Sequence, residues 1–225
     1  MKRSASIVVL TGGALLAGLL AAPATWLASA VGALSEERVL LADADGLWWR
    51  GSAWLAVTPR DAAPLTLPGR VSWTFDPLRG GFRIHGAPLV TQPFVAYWRG
   101  HGDLTPGSLQ LPAAVLQGFG PPLTTLRPRG ELKVAWQSAS QVTVDWVNAA
   151  SPLSPLPRLG DYRLDWNQGR ATLTTLRGPL HLEGVAAAGQ RFSGTARSDP
   201  EAAGQLSGLL NLLGPVRNGT TTFRL

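Results

Sequence analysis

The amino-acid sequence predicts a mainly β protein: an N-terminal transmembrane helix followed by a curved, largely antiparallel sheet with one or two short helices packed on it. Three observations carry this. Tyr162, Leu164 and Trp166 alternate with Arg163 and Asp165, the period of a half-buried strand. The pattern breaks at Asn167-Gln168-Gly169 and at Arg177-Gly178-Pro179 and resumes in Leu180-His181-Leu182-Glu183, an antiparallel meander with one apolar face. The same opening recurs, because Gly130 to Trp136 matches Gly160 to Trp166 with Gly and Trp six apart in both, and Gly69-Arg70-Val71-Ser72-Trp73 is a shorter relative. Finally, 26 Gly and 18 Pro among 225 residues suit many short strands joined by turns.

Composition excludes several classes. With 45% hydrophobic and 15% charged residues the chain has a core to bury, so disorder is excluded. Cysteine is absent, which removes disulfides, thiolate metal sites and cysteine nucleophiles without fixing the compartment. The net charge is +6, and Lys2 and Arg3 supply two of its positive charges. The remaining basic residues are scattered, so a nucleic-acid partner is not expected. A weak attraction to anionic lipid fits better.

Taken in order, Ile7 to Leu34 carry no charge and follow Lys2-Arg3. About 20 apolar residues cross a bilayer core, so this stretch reads as a single-pass membrane anchor with its basic end in the cytoplasm. The domains are then 1–34, cytoplasmic tip and anchor, and 35–225, a β-rich domain on the far side of the membrane. Ala28-Ser29-Ala30 offers a signal-peptidase site, but the apolar run exceeds the roughly 7–15 residues of a signal peptide. Strands follow at Val39–Leu41, Ala53–Val57, Val71–Phe75 and around Phe82 and Ile84, with Arg60 to Pro68 a polar connection. Pro88 to Gly107 reads poorly, with Phe94, Tyr97 and Trp98 candidates for one strand. Ser108–Leu111 is a short strand, Pro112–Gln117 a short helix opened by proline, and Gly118–Pro128 a loop. Asp199-Pro200-Glu201 has the acid and proline of a helix start. Leu206, Leu209, Leu210 and Leu213 then form one apolar stripe that must dock on the sheet, before Gly214-Pro215 ends the helix and Thr220 to Leu225 forms a last strand.

No catalytic, cofactor or metal site is expected. His85, His101 and His181 are far apart in unremarkable settings, and His181 alternates outward. Asp43 and Asp45 share a strand face, with nothing nearby to complete an oxygen cage. Trp73, Trp136 and Trp166 close equivalent strands and line one side of the sheet. They pack there as core, or they form an apolar face or groove for an acyl chain or an extended peptide.

One family is suggested. Ser151-Pro152-Leu153-Ser154-Pro155-Leu156 with Leu159-Gly160-Asp161-Tyr162-Arg163-Leu164, Thr175 to Gly184, and Leu209-Leu210-Asn211-Leu212-Leu213-Gly214 resemble the N component of the type II secretion system, of the general secretory pathway. Gly46-Leu47-Trp48-Trp49-Arg50-Gly51 and Leu126 to Leu132 resemble its early turn and central strand entry. The resemblance implies a non-enzymatic inner-membrane accessory subunit, partnered by other secretion subunits and by membrane lipid, that supports export of folded proteins from the periplasm. The alternative from the residues themselves is a membrane-anchored, lipid-handling β-groove protein.

Overall fold

Strands pair with their sequence neighbours almost from end to end. The structure, a computed structural model, describes residues 20–58, 64–97, 104–120, 122–217 and 219–224. Among these, fourteen strands form one antiparallel sheet: β1 (Val39–Leu47), β2 (Arg50–Val57), β3 (Leu65–Asp76), β4 (Gly81–Gly86), β5 (Val90–Tyr97), β6 (Gly107–Pro112), β7 (Arg129–Ser138), β8 (Gln141–Ala150), β9 (Gly160–Asn167), β10 (Arg170–Arg177), β11 (Leu180–Ala187), β12 (Ser193–Ser198), β13 (Val216–Arg217) and β14 (Thr220–Arg224). Their order follows the chain until β12, which pairs with β14, leaving β13 and β1 as the two edges.

Directly paired residues in neighbouring strands share a face, so the register identifies the inner side. Trp136 pairs with Val142, Val142 with Trp166 and Trp166 with Ala171. Leu173 pairs with Gly184, and Leu182 with Ala196. Apolar side chains therefore run along one face across these strands. On the other face Lys133, Asp145 and Arg163 are cross-strand neighbours, and the Arg163 guanidinium donates two bonds to Asp145 at 2.7 and 2.9 Å. The reused glycines mark bulges. Gly69 (φ 86°) and Gly130 (φ 106°) sit at register shifts of β3 and β7, a conformation that side chains with a Cβ resist.

Helices cover the two ends of the sheet. α1 (Ala24–Leu34) packs Ala24 and Leu27 onto Ala53, Trp73 and Phe82. α2 (Leu123–Leu126) is a single turn after the 3-10 segment Ala113–Phe119. α3 (Ala203–Leu213) follows a 3-10 turn at Pro200–Ala202 and buries Leu206, Leu209 and Leu210 against Leu159, Leu180, Ala196 and Phe223, with Leu213 beside them.

Several expectations are revised. Residues 1–19 lie outside the described residues, as do Arg60, Trp98, His101 and Leu225. Ala24–Leu34 does not extend an anchor but docks on the sheet as an eleven-residue helix, and no helix among the described residues is long and apolar enough to cross a membrane. Leu65 to Pro68, expected in a connection, belongs to β3. Gly118–Pro128, expected as a loop, contains α2, which is too short to carry a helical period. Asp43 and Asp45 do not follow strict alternation, because Asp43 takes φ 50° at a bulge and pairs with Arg70. Asp199 makes no side-chain cap; its carboxylate binds His181 Nε2 at 2.8 Å instead.

Candidate functional site

The three expected tryptophans share the inner face, but their surroundings differ. Trp73 and Trp136 are packed into the core, 4% and 7% exposed, whereas Trp166 is 36% exposed. Each buried ring lies over a glycine of the neighbouring strand: a Cβ on Gly51 would approach Trp73 Cζ2 to 2.7 Å, and one on Gly107 would approach Trp136 Cζ2 equally closely. Their indole N–H groups donate to the carbonyls of Trp48 at 2.9 Å and Thr105 at 2.8 Å. Phe94 meets Trp136 edge to face at 4.9 Å.

A separate chamber of about 120 Å3 opens further along the same face, and none of those three rings lines it. Its floor is the sheet, through Trp146, Tyr162, Leu173, Leu180, Leu182 and Phe223. Leu209 and Leu213 of α3 roof it, while Leu123 and Leu126 of α2, between Pro122 and Pro128, close a side. Ala150, Ser151 and Leu159 complete the wall. Among the described residues no charged side chain lines it, and its polar side-chain atoms are already engaged. Tyr162 OH donates to the Leu180 carbonyl at 2.9 Å, Trp146 Nε1 to the Arg129 carbonyl at 2.9 Å, and Ser151 Oγ to the Leu126 carbonyl. Burial holds the Tyr162 phenol well above its ordinary range, so it stays a neutral donor. The Trp146 and Tyr162 rings lie 5.6 Å apart and turn carbon toward the space.

Next to Tyr162 stands a buried carboxylate. Asp161, 2% exposed, accepts two bonds from Arg158 at 2.7 Å, one from Arg177 and one from the Asn148 N–H at 2.8 Å. The Arg158 bonds, with those from Arg177 and Asn148, hold its carboxyl well below the usual carboxylate range and outweigh the opposing effect of burial. With every contact a donor from its own chain, this clamp joins β8, β10 and the loop before β9. It is a structural device.

His85 is exposed, and among the described residues no three His, Asp or Glu side chains gather into a metal-binding group. The arrangement can bind an apolar group and orients no acid, base or nucleophile upon it. Sequence reasoning missed the chamber and the clamp. Arg158 and Asp161, three apart, were the available sign of the clamp. For the chamber, Trp146 alternating with Val142 and Val144 marked one wall only.

No curated protein and no solved structure matches the chain. The family model described as type II secretion system (T2SS), protein N, matches residues 37–224, which run from just before β1 to the last described residue of β14. The chain therefore belongs to the type II secretion system protein N family.

Proposed function

We propose that the protein is a non-enzymatic accessory subunit of the type II secretion system, tethered to the inner membrane and presenting its sheet in the periplasm to neighbouring secretion subunits. One observation carries the reading: the family match spans the whole sheet rather than a fragment of it.

The tether is assigned to the residues ahead of Pro23. Pro23 is extended (φ −71°, ψ 156°) and bridges to Leu47, while the Leu20 carbonyl accepts from Trp49 Nε1 and the Ala22 carbonyl from the Trp48 N–H. These contacts fasten the chain to the β1–β2 turn. Ser4 to Leu20 supplies 17 uncharged residues behind Lys2-Arg3, the lower limit of a membrane-crossing helix. Exposed Trp26, in the first turn of α1, then lies near that tether, where an interfacial aromatic is favourable.

The test is photocrosslinking in native membranes from probes on the polar face, at Lys133 and Glu183. Adducts with other secretion subunits are expected, together with impaired export when the gene is removed. Adducts with none, and unchanged export, would reject the assignment.

A further inference from the structure

We propose that the chamber beneath α2 and α3 receives the tail of a single acyl chain, the rest of which lies along Leu164 and Trp166 on the inner face of β9. This goes beyond the secretion role and does not depend on it. The chamber offers only carbon, since the hydroxyls of Tyr162 and Ser151 and the indole N–H of Trp146 are bonded to main-chain carbonyls. A peptide segment placed there would leave its own N–H and C=O groups without partners, and an ionic group would lose its hydration. The guest is hydrocarbon by elimination.

Its shape follows from volume and continuity. About 120 Å3 is close to the roughly 150 Å3 cavity that accepts one benzene ring, so only a few terminal carbons fit inside. The remainder has a route. Leu173 in the wall pairs with half-buried Leu164, which pairs with Val144; two residues on, Trp166 stands partly open on the same face. Tyr162 to Trp166 spans about 13 Å at strand rise. An extended chain can follow that row of apolar side chains with only its end in the chamber. The expected apolar groove is thereby moved: Trp166 keeps a part, while Trp73 and Trp136 are core.

The test uses the full chain in bilayer nanodiscs and reads tryptophan quenching by palmitate brominated at its terminal carbon. A second arm uses nanodiscs of phosphatidylglycerol carrying the same brominated acyl chains. Saturable quenching is expected in at least one arm, and which arm responds tells a free fatty acid from a phospholipid. Trp146→Phe should remove a distinct share of the quenched signal. Ala150→Leu, which fills the chamber, should weaken binding roughly tenfold, the loss of about two buried methylenes, with an unfolding midpoint no lower than the parent's. Should Ala150→Leu unfold the protein, Trp146→Phe decides alone. Absence of quenching in both arms, quenching untouched by Trp146→Phe, or equal affinity in a folded Ala150→Leu variant would overturn the proposal. Each of these can occur with the crosslinks to secretion subunits intact, so the two readings fail separately.

Discussion

The Trp136 ring lies directly over Gly107 of the adjacent strand, where an added Cβ would meet Cζ2 at 2.7 Å and Phe94 Cβ at 2.8 Å. Glycine there is a packing requirement. Gly107→Ala is expected to destabilise the protein by about 1–3 kcal/mol through overpacking, read as a lower denaturant midpoint with an unchanged slope. Gly51→Ala, beneath Trp73, should behave alike. Stability equal to the parent would show that these rings move aside freely.

Gly204 and Gly208 make the opposite case. Both lie in α3, and a Cβ at either meets nothing within 4 Å. Gly204→Ala and Gly208→Ala should each stabilise by up to about 1 kcal/mol, since alanine loses less backbone entropy in a helix. Thermal unfolding of the two variants and their double checks it.

The leucine face of the same helix is sensitive. Leu206 is fully buried, and Leu206→Ala should cost about 2–5 kcal/mol. Leu209→Asp with Leu210→Asp should detach the helix, because each carboxylate would be buried without a partner. Limited proteolysis is the readout, and resistance matching the parent would refute the docking.

Acid should loosen the Asp161 clamp. Its carboxyl titrates lower in the folded protein than in the unfolded chain, so its contribution is fully present above the unfolded value of about 3.9 and fades as pH falls below that. Asp161→Asn should cost about 2–3 kcal/mol at pH 7 by removing the charge-assisted bonds from Arg158 and Arg177, and should flatten the loss of stability between about pH 4 and pH 2. Denaturation midpoints across that range, for parent and variant, measure both effects.

For the tether, an alkaline phosphatase reporter fused behind Arg38 should be active and a cytoplasmic reporter at the same place silent. The reverse result would remove the membrane-crossing assignment of Ser4 to Leu20.

Legibility followed the range over which each feature is written. β9, β10 and β11 could be read because alternation repeats within a few residues, and the leucine stripe of α3 because four positions at helical spacing suffice. The chamber could not be read, because Leu123, Trp146, Tyr162, Leu182 and Leu209 meet only through pairing and docking. Asp161 likewise looked like an ordinary polar residue until Arg177 crossed from β10 to reach it. The uncharged stretch ending at Leu34 misled for a different reason: hydropathy does not tell lipid from a sheet's apolar face, and Ala24, Leu27 and Gly32 pack on the protein.

A sheet laid down in chain order has a kinetic corollary. Each strand from β2 to β12 finds its partner one turn or loop earlier, so the closure to be made at every step is local. Closure entropy rises by about 0.6 kcal/mol for each doubling of the loop, and no pairing here joins distant ends of the chain. A polypeptide delivered N-terminus first can therefore zip up as it arrives, each hairpin offering the template for the next. Only the final hairpin departs from chain order, since β14 rather than β13 pairs with β12 and β13 lies at the rim.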